Sequence, residues 1–213
     1  MALMNDRAGW GLVQRALHWM TGGVILFQLG LGFYMTEFVT DLIQQYNLVQ
    51  LHKSWGFVAF VLVALRLAWR AINPTPLAPN MPLWQHMASE GTHIALYVLM
   101  IALPVTGWLM STASTLNDPD AYPAQIPNLV FGAFDMPDLF PKGDDALAGW
   151  FETLHAFSAF GIAVLVALHI AAALKHHFVD RDGVLRRMVV GRAEDDRAEH
   201  DRAETAPARS QDA

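Results

Sequence analysis

The sequence predicts an all-α protein, an integral-membrane four-helix bundle, and three observations lead there. The 213 residues are 54% hydrophobic and only 16% charged, with a positive mean hydropathy, high for a water-soluble domain of this size. Four apolar segments, at about 17–36, 52–72, 93–110 and 149–176, come close to or exceed the roughly 20 residues that carry a helix across a hydrocarbon core. The charges are sorted by loop, basic and acidic in alternation, as spanning chains require.

The first helix follows Arg7, Trp10 and Arg15. No pattern of small residues for a signal peptidase comes after it, so a retained helix is expected and not a cleaved leader. The second helix ends among Arg66, Trp69 and Arg70, and the third contains Pro104, which should kink it. Between the third and fourth lies a long loop, 111–148, with five prolines and two apolar patches at 129–134 and 136–140. It is too long for a simple turn and is expected to fold as a lid. These elements make one transmembrane domain over 1–190, and the charged stretch 191–213, poor in large apolar residues, should be disordered.

Basic residues gather at Arg7 and Arg15, at Arg66 and Arg70, and at Lys175, Arg181, Arg186, Arg187 and Arg192. Acidic residues fill the other side: Glu37, Asp41, Asp118, Asp120, Asp135, Asp138, Asp144 and Asp145. The positive-inside rule then puts both termini in the cytoplasm of a bacterial inner-membrane protein with several spans. All seven tryptophans fall near helix ends, where interfacial anchoring accounts for them. Arg66 reads in the same way, as a side chain snorkelling toward lipid headgroups, in preference to pairing with a haem propionate. The absence of cysteine excludes disulfides, cysteine-ligated iron–sulfur clusters and thioether-bound c-type haem.

Chemistry is left to histidine. His155 and His169 are fourteen residues apart in the fourth segment, which on a helix places them about 40° apart in angle and about 21 Å apart along the axis. His18 starts the first segment and His52 the second, so each depth receives two imidazoles. Ionisable groups in an apolar span point to function. The residue four positions on is small in each case: Gly22, Gly56, Ala159 and Ala173. Such residues share the ligand's face and leave a slot for a flat macrocycle, although small residues also serve close helix packing. Zinc would be short of ligands at two imidazoles per depth, whereas haem iron with two axial imidazoles needs no more.

These residues resemble the bacterial cytochrome b561 family, four-helix di-haem proteins related to the cytochrome b subunits of nickel–iron hydrogenases. The likeness is carried by Leu17-His18-Trp19, Leu51-His52-Lys53-Ser54-Trp55-Gly56, Arg66-Leu67-Ala68-Trp69-Arg70 and Asn73-Pro74-Thr75-Pro76. It continues through Ala102-Leu103-Pro104-Val105-Thr106-Gly107, Phe131-Gly132, Glu152-Thr153-Leu154-His155, and the run from His169 to His177. The resemblance implies two b-type haems, with His18 and His169 binding iron on the cytoplasmic side and His52 and His155 on the periplasmic side. It also implies electron transfer between the quinone pool and a periplasmic donor or acceptor, ubiquinone and superoxide among the candidates. The acidic outer loops, whose basic residues are Lys53 and Lys142, do not favour a small anion.

Arg15, His93, His176 and His177 form a polar rim at the cytoplasmic side that either binds a quinone headgroup or merely meets water. Glu152 is either a solvated helix-start carboxylate or a neighbour that tunes His155. The alternative function is a non-catalytic membrane anchor that docks a periplasmic dehydrogenase or hydrogenase through the lid. Lipid is the expected surround, a homodimer is compatible with such a bundle, and no nucleic-acid partner is expected.

Overall fold

Four long helices follow from the four apolar runs, and all overshoot them. In the computed structural model, which describes residues 2–6, 9–76, 81–118, 120, 127–140 and 142–191, α1 spans Leu12–Glu37 and α2 spans Leu42–Ile72. α3 spans Leu83–Ala113 and runs through Pro104, and α4 spans Asp145–Lys175. A five-residue π-turn, His176–Asp180, and a short α5, Val184–Val189, are the last elements among the described residues. The expectations for Arg7, Arg192 and the tail beyond Gly191 lie outside the described residues.

Apolar content locates the part of a helix in lipid, whereas caps locate its end. α2 starts ten residues before His52 because the Asp41 side chain accepts the Gln44 N–H, capping a polar turn that apolarity alone overlooks. α4 starts at a similar cap, Asp144 accepting from Leu147 N–H. All four long helices are apolar enough to span a membrane, and residues such as Phe27, Phe33, Leu65, Ile94, Phe157 and Phe160 present large side chains outward. A helix apolar on both its inner and outer faces suits a lipid surround, where backbone groups must be satisfied within the helix.

Consecutive helices pack closely, α1 on α2, α2 on α3 and α3 on α4. Their alternation gathers the charged loops into a basic end and an acidic end. At the basic end Asn5 Nδ2 donates to the Pro74 carbonyl, and Trp19 Nε1 donates to Met188 O, drawing α5 against α1. Halfway along, Ile25, Ala59, Val63, Leu96, Met100 and Ile162 form a buried apolar cluster with a residue from every long helix.

The acidic end carries the lid. Strands β1 (Leu129–Val130) and β2 (Phe134–Asp135) pair antiparallel around a turn with positive φ at Phe131 and Gly132. Glycine takes that conformation readily and phenylalanine does not. Phe131 is held there by its N–H donating to Ser54 Oγ and by its ring meeting Trp55 edge-on. Further straps join Gln50 to Pro127 O, Lys53 Nζ to Asn128 Oδ1, and Trp108 Nε1 to Pro137 O. The lid thus hangs on α2 from Gln50 to Trp55 and on Trp108 of α3.

Candidate functional site

Two histidine pairs stand at two depths. Toward the basic end, His18 on α1 faces His169 on α4 with ring centres 6.2 Å apart; toward the acidic end, His52 on α2 faces His155 on α4 at 6.3 Å. α4 is unbroken between its two histidines, so the separation of about 21 Å along the axis follows from helix rise. Both pairs bridge helices other than the consecutive ones that pack most closely, which leaves space between the rings.

The separations suit a shared metal. With ring centres 6.2 and 6.3 Å apart, the two imidazoles of each pair are close enough that both would hold one metal-bearing group. At the acidic end the protonation pattern agrees. His155 Nδ1 donates to the Leu103 carbonyl at 3.0 Å and lies 3.1 Å from Thr106 Oγ1. A carbonyl only accepts, so Nδ1 carries the hydrogen and Nε2 is left as a ligand atom. Opposite it, His52 Nδ1 is buried without a hydrogen-bond partner among the described residues.

At the basic end the fit needs one movement. Arg66 Nη2 donates to His18 Nδ1 at 3.0 Å, and its guanidinium lies 5.3 Å from the centre of the Tyr97 ring. A histidine that binds iron through Nε2 carries hydrogen on Nδ1, so Arg66 must withdraw from that contact for His18 to serve. Arg66 therefore corrects the sequence reading. It turns into the bundle, onto Tyr97 and His18, instead of snorkelling, because an aromatic face and an imidazole offer partners a turn away from the headgroups.

The glycine expectation also needs revision. A Cβ on Gly22 would meet nothing within 4 Å, as expected of a slot, but one on Gly56 would lie 3.4 Å from Gln28 Nε2. That amide fills the space and donates to the His52 carbonyl. The glycines that do border ligand rings are Gly32, whose Cβ would be 3.5 Å from His52 Cε1, and Gly107, whose Cβ would be 3.2 Å from His155 Cε1. Both lie on the facing helix, so no count from the histidine's own sequence reveals them.

The four residues of the expected polar rim take different positions. His93 joins the basic-end pair, its ring 5.5 Å from that of His169. His176 turns toward Asp182 and Asp180, while His177 is exposed against Phe178. Arg15 is buried near the start of α1. Glu152 is exposed.

The sequence pattern of the prokaryotic cytochrome b561 family matches residues 9–191. The chain belongs to that family. Among its relatives, cytochrome b561 homolog 2 of Escherichia coli K12 is 32% identical over 92% of this chain and 98% of its own length. Cytochrome b561 homolog 1 of the same organism is 28% identical over 66% of this chain and 74% of its own. A probable superoxide oxidase of Yersinia pestis is 30% identical over 65% and 73% respectively. Membership makes the chain a multi-pass membrane electron-transfer protein and implies b-type haem.

Proposed function

We propose that this chain is a di-haem b-type cytochrome of the bacterial inner membrane, carrying electrons between quinone at its basic, cytoplasmic end and a donor or acceptor at its acidic, periplasmic end. The observation that carries the reading is the repeat of one geometry at two depths, with ring centres 6.2 and 6.3 Å apart. His18 and His169 would hold the inner haem and His52 and His155 the outer one. When bound, haem supplies one-electron redox chemistry at each site.

The chain's own residues arrange the rest. Leu103 O and Thr106 fix the His155 ring, as outer-shell partners of a metal ligand do. The mid-depth cluster from Ile25 to Ile162 is apolar and supports no chain of proton carriers, so electrons can pass between the sites while protons do not. Quinone at the inner end is supported by His93 beside the inner pair and by His176 on the next turns of α4. Superoxide as the outer donor is suggested by the name of the Yersinia pestis relative, although the acidic rim does not gather anions.

A pyridine haemochrome assay on the wild type and four single His→Ala variants tests the layout. The expected result is two haems per chain in the wild type. His18→Ala and His169→Ala should then lose one spectral component, and His52→Ala and His155→Ala the other. One haem per chain, or losses that pair differently, would overturn it.

A further inference from the structure

We infer that Asp182 is a positioning residue that holds His176 as the proton relay between cytoplasmic water and quinone. This rests on the reading that quinone is reduced or oxidised at the inner end. His176 lies seven residues beyond His169, which returns it to within about 20° of the same face of α4 and about 10 Å closer to the cytoplasm. It is half-buried, between the inner pair and the surface.

The ring is fixed from one side. Its Nδ1 donates to Asp182 Oδ2 at 2.6 Å and lies 3.3 Å from Asp180 Oδ2. Asp182 is fixed in turn: its Oδ1 accepts the Val184 N–H, and its own N–H donates to the His176 carbonyl. The Asp180 carboxylate is held by both of its oxygens on Lys175 Nζ, at 2.6 and 2.9 Å. The π-turn makes this closure, with Arg181 at φ 54° bringing Asp182 back beneath His176. The result is an imidazole with its Nδ1–H committed to a carboxylate and Nε2 left for exchange, the arrangement that suits a general acid and base.

His176, Asp180 and Asp182 also place three ligand atoms within 4.8 Å of one another, but a cation does not fit that geometry. Nδ1 and Oδ2 are at hydrogen-bond distance, with no room for an ion between them, and Lys175 already neutralises Asp180.

The protons and electrons balance as follows. Reduction of a quinone takes two electrons, delivered through the inner b-type haem, and two protons. Each proton passes from protonated His176 Nε2 to a quinone carbonyl oxygen, forming O–H as N–H breaks, and cytoplasmic water reprotonates Nε2. The Nδ1–H stays on its bond to Asp182 throughout. Among the described residues, Asp182 and Asp180 face His176, Lys175 on α4 holds Asp180, and α5, which packs against the turn, carries Arg186 and Arg187.

The test uses the full-length, haem-loaded protein in nanodiscs, pre-reduced and mixed with a short-chain ubiquinone analogue across a range of pH. Asp182→Asn should slow haem reoxidation at least about tenfold without changing the haem spectrum or the analogue concentration that gives half-maximal rate. Asp182→Glu should restore part of the rate. As a readout independent of turnover, 15N-histidine spectra should show His176 losing its fixed Nδ1–H form in Asp182→Asn.

Two results would overturn the inference, and they differ. If His176→Gln is slow while Asp182→Asn keeps the wild-type rate and 15N spectrum, quinone chemistry is at this end but Asp182 has no part in it. If both variants match the wild type, the quinone reading of the inner end fails.

Discussion

Gly107 shows how one missing side chain shapes a ligand site. A Cβ there would stand 3.2 Å from His155 Cε1 and 3.4 Å from its Nδ1, tighter than ordinary contact, and the ring is already committed to Leu103 O. Gly107→Val should therefore push His155 off its bond and lose the outer haem alone. We expect a purified variant with about one haem per chain, in which the spectral component that depends on His18 and His169 survives. Two haems at wild-type yield would show that the ring has slack. Gly107 was visible in the sequence only as part of a family motif. Its role is legible in three dimensions because the ring it accommodates belongs to another helix.

At the scale of elements, the lid and α2 depend on each other. Asn128 is buried and joins Lys53 Nζ, Ser111 Oγ and Asp138 Oδ1, so one amide links α2, α3 and the loop. Asn128→Ala would leave the Lys53 ammonium without one of its acceptors, a loss of about 1–3 kcal/mol. That loss should appear as faster amide hydrogen exchange over 127–138 while α1 to α4 keep their protection. Unchanged exchange in the loop would mean that Ser54 and the aromatic contacts suffice. The sequence showed that the loop was long and apolar in patches but not where it docks, because the docking residues, Gln50, Lys53, Ser54 and Trp55 on α2 with Trp108 and Ser111 on α3, come together only when the two helices pack.

At the scale of the whole molecule, α4 and the π-turn after it carry a stripe at seven-residue spacing: His155, Ile162, His169 and His176. It orders the proposed outer ligand, the fully buried residue of the mid-depth cluster, the proposed inner ligand and the proposed proton residue along one face. Which end of that stripe is cytoplasmic follows from the positive-inside rule, and the absence of cysteine makes it measurable. Single cysteines introduced as Asp135→Cys on the lid and Val189→Cys on α5, both at exposed positions, should differ in intact cells. A membrane-impermeant maleimide should label the first and reach the second only after the membrane is opened. The reverse pattern would invert the proposed direction of every step.

The sequence alone determined the four spans, the sorting of charge to the two ends and the two depths of histidine. These depend on helix rise, helix periodicity and the cost of placing charge in hydrocarbon, all of which act along a single chain. The tertiary structure decided which side chains share a space. It placed Gln28 rather than open room beside Gly56, Arg66 on His18 rather than among headgroups, Gly32 and Gly107 against the ligand rings, and Asp182 beneath His176. Those contacts join different helices or close a non-α turn, and sequence periodicity measures distance along one helix while carrying no information about the rotation or separation of its neighbours.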